Sequence, residues 1–351
     1  TGGSGFLGKH VQKACVASGV IPRALGRKDG DMRDPLVARR VLADAEVIVH
    51  LAADVGGVAY LAGRQAEGFH ANHRVGVNVI EAACFHRCRR LVLIGSPCSY
   101  GPNSRLPLVE KSLQEDFPTG ETGCYGLAKL VVSETAKLFG NAMGVETVTL
   151  IPGNVYGPGD HFECDRSHVV AAVLRRAVVS QLLGRKTFSV WGNGSATRDF
   201  VYVDDVADII VQAVTSTHRF SGDVLNVGSG YETSVRQLAG LVAETVGGGV
   251  EPDFAEEELV GYTHRVLSNE LARSVLGYQP KISLRDGLSD TLSWIKREGL
   301  DRAWLEDEMQ ESEQPLQLFF GITSRRAALA VVIKYIYVLV FFEFFMLFAI
   351  Y

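Results

Sequence analysis

Thr1-Gly2-Gly3-Ser4-Gly5-Phe6-Leu7-Gly8 opens the chain, and its reading decides the fold. Glycines stand at positions 2, 5 and 8. Gly2 allows a tight turn, Gly5 lets backbone approach a pyrophosphate, and Gly8 lets the next helix pack on a strand. A helical pattern from His10 to Ser18 follows at once, with Phe6 at its threshold, so backbone amides at the helix start would face phosphates. The expectation is a dinucleotide site. The strand that normally feeds such a loop would lie before Thr1, so the first strand of the sheet is expected to be missing.

Outward from the loop, short β-branched runs alternate with longer helical stretches. Residues 47–51, 90–94 and 147–151 are near-continuous apolar runs, as strands buried on both faces of a parallel sheet require. Val75 to Phe85 and Leu127 to Phe139 read as helices between them. This alternation predicts an α/β fold, a Rossmann-type doubly wound parallel sheet with a smaller α/β substrate lobe. The expected boundaries are residues 1–157 for the dinucleotide domain and 158–300 for the lobe, with about 199–230 returning to the first sheet. A second strand is expected near 21–25. Gly26-Arg27-Lys28 follows it, at the place where an acidic residue binds the ribose 2′-OH of NAD. Arg27 and Lys28 suit a 2′-phosphate instead, so NADP(H) is the expected cofactor. His50-Leu51-Ala52-Ala53 then ends a strand in small residues, leaving room beside Leu51, Ala52 and Ala53 for that cofactor.

Lys plus Arg number 35 against 40 Asp plus Glu, for a net charge of -5. No basic excess and no interleaved basic and aromatic stripe point to nucleic acid. An anionic substrate must be met by local cations. The six cysteines form no CxxC pair and no Cys/His cluster has zinc spacing, so no metal is expected and the thiols read as reduced, in the cytoplasm. An acidic linker is expected over 301–326. The 25 residues from Ala327 to Tyr351 are strongly apolar and long enough to span a bilayer, but Lys334 and Glu343 interrupt them. Two readings stand, a membrane tether and a mistranslated tail.

Tyr125-Gly126-Leu127-Ala128-Lys129 places Tyr125 and Lys129 at i, i+4 on one helix face. A nearby ammonium favours phenolate, so Lys129 is expected to lower the Tyr125 pKa and make it a proton donor or acceptor toward a carbonyl. Ser96 follows the 90–94 strand, where its hydroxyl can bond the same oxygen. Cys98 and His168 carry groups that titrate within reach of neutral pH and suit proton transfer at carbon.

Taken together, these motifs resemble the extended short-chain dehydrogenase/reductases over roughly residues 1–297. Asn154-Val155-Tyr156-Gly157-Pro158, Trp191-Gly192-Asn193-Gly194, Arg198-Asp199-Phe200-Val201, Val203-Asp204-Asp205 and Asn226-Val227-Gly228 look like that family's markers. Within it, three stretches are similar to the GDP-L-fucose synthase branch. These are Ala52-Ala53-Asp54-Val55-Gly56-Gly57, Ser96-Pro97-Cys98-Ser99-Tyr100, and Ser167-His168-Val169-Val170 with Arg175-Arg176. The resemblance implies a homodimer acting on a GDP-sugar, with epimerisation at C3 and C5 followed by NADPH reduction at C4. It implies cofactor contacts at Asp31, Met32, Pro152, Asn154, Val155 and His168, beside Tyr125 and Lys129. It implies substrate contacts at Arg176, Trp191 and Arg198. Pro97 and Gly101-Pro102 depart from the branch, and its Asp-Gly-Thr-Pro-Arg-Lys segment survives only loosely in residues 260–265. Alternatives therefore stay open: a nucleotide-sugar 4-epimerase or GDP-mannose 3,5-epimerase that recycles NAD, or a non-catalytic cofactor-binding scaffold.

Overall fold

Side chains branched at Cβ pack well on a pleated surface, and they mark the strands here. A computed structural model describes residues 1–163, 166–255 and 262–306. Its first half runs α1 (Phe6–Ala17), α2 (Pro35–Val41), β1 (Val47–His50), α3 (Val58–Ala62), α4 (Gln65–Phe85), β2 (Arg90–Ile94), α5 (Gly123–Met143), β3 (Glu146–Pro152) and β4 (Asn154–Tyr156). Its second half runs α6 (Val169–Leu182), β5 (Thr187–Val190), β6 (Thr197–Arg198), β7 (Phe200–Tyr202), α7 (Val203–Thr215), β8 (Asp223–Val227), β9 (Thr233–Ser234), α8 (Val235–Val246), β10 (Glu251–Phe254), α9 (Glu270–Leu276) and α10 (Leu284–Arg297).

The main sheet has the order β1-β2-β3-β8, and every pairing in it is parallel. Successive strand residues face opposite sides, so β2 feeds two cores. Leu91 and Leu93 meet α2, α4 and α5 on one face, with Ile48, Leu42, Val79 and Val132. Val92 meets α1, α7 and α9 on the other, with Val11, Val148, Ile210 and Ala272. Helices on both faces of a parallel sheet make the doubly wound Rossmann arrangement. Arg90, 2% exposed, ties the layers together. It pairs with Glu146 and donates to the carbonyls of Ala213, Val214, Ser216 and His218 at and after the end of α7.

The expected strand at 21–25 does not form. Ile21 is 96% exposed, and the segment's bond to its neighbour is a single rung, Gly3 N–H to Leu25 C=O at 3.0 Å. One rung fixes too little of a ladder to make a strand. Thr1 itself lies along β1, its ammonium donating to Val49 O (2.7 Å) and its carbonyl accepting from Leu51 N–H (3.1 Å).

The segment after Gly157 holds α6, α8 and α10 and takes part in three two-stranded sheets, β4-β7, β5-β10 and β6-β9, with β4 coming from just before it. That segment also supplies β8 to the main sheet, and Thr1–Arg297 form one compact unit. A second unit begins at Glu298. Residues 300–306, read as linker, are helical there, as the run Leu-Asp-Arg-Ala-Trp-Leu-Glu favours. The rest of that linker and the apolar 327–351 stretch lie outside the described residues. Among the described residues, no helix is long and apolar enough to cross a membrane.

Candidate active site

The glycine loop forms a cradle that side chains would fill. Gly2 has φ +73°, and a Cβ there would come 2.6 Å from the Ala52 nitrogen. A Cβ on Gly8 would overlap the Gly2 carbonyl oxygen. Gly5 is the extended N-cap of α1, no side chain caps it, and no acidic residue occupies the first turn. The amides at this helix start are therefore left to a ligand, and the dipole favours an anion. Leu51, Ala52 and Ala53 leave β1 beside this loop. Gly26 packs on Ser4, where a Cβ would sit 2.7 Å from the Ser4 hydroxyl, so the turn carrying Arg27 and Lys28 abuts the cradle. Both basic side chains are exposed. Asp31 accepts from Arg33 at 2.6 to 3.0 Å, and these bonds hold its carboxyl down to about 2. Met32 is buried and its carbonyl accepts from Asn78 (2.9 Å). These residues fit a dinucleotide: a bare-backbone pyrophosphate seat with free cations next to it.

Ser96, Cys98, Tyr125 and Lys129 come together at the ends of β2 and the start of α5. Ser96 caps a single 3₁₀ turn, Pro97–Ser99, its Oγ accepting from Cys98 N–H at 3.2 Å. The Ser96 side chain also hydrogen-bonds the Tyr125 phenol. Lys129 donates to Ile94 O at 2.9 Å, and its nitrogen lies 5.9 Å from the Tyr125 ring centre.

The expected electrostatics are reversed. Burial drives the Tyr125 pKa up, the nearby Cys98 and Asp54 add to this, and the Ser96 hydrogen bond opposes it. Burial also lowers Lys129, to about 8. With both groups enclosed, the loss of hydration outweighs the attraction between ammonium and phenolate. Tyr125 is thus held as a neutral phenol, the form that donates a proton.

One residue of this site carried no sequence signal. A Cβ on Gly126 would overlap the Cys98 carbonyl, and the Ser99 hydroxyl donates to Gly126 O at 2.9 Å. Glycine at 126 is what lets α5 press against the Cys98 turn. Arg265, offered by the sequence only within the loosely matched 260–265 segment and given no role there, grips that turn through Pro97 O and Tyr100 O. Burial lowers the pKa of Arg198 and of Arg265, and Arg265 adds to the effect on Arg198, while Cys98 opposes it in both. Both guanidiniums therefore lie near enough to Cys98 to feel its charge.

The remaining site residues are spread along the chain after β3. Pro152 ends β3, and Asn154 N–H donates to Asp199 O at 2.7 Å. Val155 packs against the core beneath α7. His168 is the N-cap of α6. Its segment docks on the Gly56-Gly57 loop, with Gly57 N–H donating to Arg166 O at 3.2 Å. Arg176 stacks 4.6 Å over Trp191, which is 54% exposed. A cavity of about 790 Å³ opens between Asp31, Asp54, Arg64 and Arg74. Ser96, Cys98, Tyr125 and Lys129 do not line it.

The pattern of the NAD dependent epimerase/dehydratase family matches residues 1–228. The chain belongs to that family. Among NAD dependent epimerases/dehydratases it is 35% identical over 260 residues to GDP-L-fucose synthase 1 of Arabidopsis thaliana, covering 73% of this chain and 78% of that one. It is 26% identical over 323 residues to GDP-mannose 3,5-epimerase of the same plant, covering 85% and 81%. A solved GDP-6-OMe-4-keto-L-xylo-heptose reductase from C. jejuni superposes with a TM-score of 0.79 at 22% identity, over 85% of this chain and 97% of the other. The last likeness bears on the fold, and it agrees with the doubly wound sheet of this family.

Proposed function

We propose that the protein converts GDP-4-keto-6-deoxy-mannose to GDP-L-fucose, epimerising C3 and C5 and then reducing C4 with NADPH. The observation that carries this reading is the contact at Gly126, which seats the Cys98 turn directly on the helix that carries Tyr125 and Lys129. Relatives named for GDP-L-fucose synthesis support the substrate.

NADPH would lie along Gly2, Gly5, Phe6 and Gly8, with Arg27 and Lys28 on its 2′-phosphate. When bound it supplies hydride. Tyr125 gives its proton to the C4 oxygen as negative charge develops there, and Ser96 donates a second hydrogen bond to the same oxygen. Lys129, anchored on Ile94, keeps a cation behind the phenol and compensates the charge that Tyr125 acquires. For inversion at C3 and C5, Cys98 and His168 take and return protons at carbons made acidic by the neighbouring ketone. Arg198, Arg176 and Trp191 are assigned to the nucleotide-sugar, where guanidinium suits diphosphate through paired hydrogen bonds.

The test is NADPH oxidation against a panel of 4-keto-6-deoxy nucleotide sugars, with product configuration read by NMR. The reading expects stoichiometric oxidation with the GDP-linked mannose derivative and inversion at both carbons. Turnover without net oxidation would replace it with an epimerase that recycles NAD. Oxidation without inversion would leave a simple 4-reductase.

A further inference from the structure

We propose that Asp160 is a positioning residue for His168: its carboxylate holds the Nδ1–H of the imidazole, leaving Nε2 as the nitrogen offered to the sugar. This rests on the reading that His168 moves a proton at carbon.

Two enclosed polar groups face each other without a completed bond. The Asp160 side chain is 2% exposed. Its Oδ1 accepts from His161 N–H at 2.7 Å, and its Oδ2 has no hydrogen-bond partner among the described residues. The His168 Nδ1 is likewise buried without a hydrogen bond, and it lies 3.8 Å from Asp160 Oδ1. A buried acceptor left unpaired has lost its water without replacement, so the pair has a strong incentive to close. Hydrogen bonds in catalytic groups are commonly long before substrate arrives and tighten on binding.

The geometry also selects a tautomer. A lone pair on Nδ1 would point at a carboxylate, whereas an N–H there would be attracted to it. The His168 side chain as a whole is 32% exposed while Nδ1 is buried, so its exposure lies on atoms other than Nδ1. Both residues are fixed by local backbone. Gly157 (φ +149°) and Gly159 (φ +83°) turn the chain so that Asp160 N–H reaches Gly157 O, and His168 is held as the N-cap of α6. When Nε2 takes a proton from carbon, the C–H electron pair passes into the enolate of the adjacent ketone. The imidazolium formed keeps its Nδ1–H on Asp160, which stabilises the new charge.

The first experiment is ¹⁵N NMR of the histidines in the substrate-free protein, with His168→Asn used to assign the resonance. The expected result is a neutral His168 carrying its proton on Nδ1. Asp160→Asn should shift the population toward the Nε2–H form, and Asp160→Glu should partly restore it. A wild-type His168 protonated on Nε2 overturns the proposal, and so does a tautomer unchanged by Asp160→Asn. Should that variant fail to fold, the wild-type tautomer alone decides. The second experiment follows solvent deuterium at C3 and C5. Asp160→Asn should slow exchange about 10- to 100-fold, the scale on which partners of a chemical group act, with unchanged NADPH affinity and an unchanged KM. Exchange at the native rate overturns the positioning role. Native exchange in His168→Asn, by contrast, removes the catalytic reading of His168 while the tautomer result still reports on the pairing.

Discussion

At the residue scale, the site turns on what each side chain has next to it. Tyr125 owes its neutrality to burial, which the Ser96 hydrogen bond opposes. Tyr125→Phe should therefore cost at least about 100-fold in NADPH oxidation, the usual scale for losing a positioned acid, while NADPH still binds by fluorescence titration. Turnover near the native rate would remove Tyr125 from the mechanism. Gly126→Ala is a harsher test of geometry. Its methyl meets a backbone carbonyl rather than a flexible side chain, so the Cys98 turn must move. Overpacking of this kind costs roughly 1–3 kcal/mol, measurable by urea denaturation, and deuterium exchange at C3 and C5 should fall with it. The Tyr125/Lys129 pair was legible because helical spacing alone puts both on one face. Gly126 and Arg265 were not, because each acts on a turn far from it in sequence. The direction of the Tyr125 shift was misread for a related reason: spacing reports that two charges are near, but not how much water either one keeps.

At the scale of elements, two devices do most of the positioning. The first is the start of α1, with Arg27 and Lys28 beside its bare amides; on the proposed reading these two cations set cofactor choice. Replacing Arg27 with Asp and Lys28 with Ser should reverse a preference for NADPH over NADH, read as the ratio of dissociation constants. Equal affinity of the native protein for both would defeat the assignment. The second is Arg90, which holds Glu146 and four carbonyls at and after the end of α7 at once. Arg90→Met leaves Glu146 and those carbonyls without their donor. The expected loss is about 3–5 kcal/mol of unfolding free energy, as for other broken buried pairs. A loss below about 1 kcal/mol would mean that water replaces the guanidinium. Elements with several rungs or turns were readable from their apolar pattern. The 21–25 segment misled because its composition is strand-like while its pairing is one bond. The strands β4, β6 and β9, two or three residues each, are too short for any period to register.

For the whole molecule, the parallel order of the main sheet follows from strands apolar on both faces, and that much was visible in residues 47–51, 90–94 and 147–151. After Gly157 the chain gives β8 to the main sheet, within the 199–230 stretch expected to return there. Global stability should carry a signature of the site. Lys129 titrates near 8 when folded against 10.5 in its ordinary state. Between those values the unfolded chain binds the extra proton, so stability rises with pH across that window, and the penalty of burying the ammonium is complete below it. Lys129→Met should flatten the rise. Urea midpoints of both proteins across pH 8 to 10.5 measure this directly, and parallel curves would mean that Lys129 is solvated in the folded state.

The bare α-carbon at Gly126 also bears on how such a protein can diverge. A carbonyl resting on a helix with no side chain between them leaves no slack, so any displacement of α5 is handed to the Cys98 turn undiminished. On the proposed reading, the thiol that works on ring carbon and the phenol that works on the ketone are then parts of one rigid piece. A lineage cannot remodel the backbone of one without dislodging the other. Specialisation toward plain reduction is left a single inexpensive route, exchange of the Cys98 or His168 side chain on an unaltered scaffold.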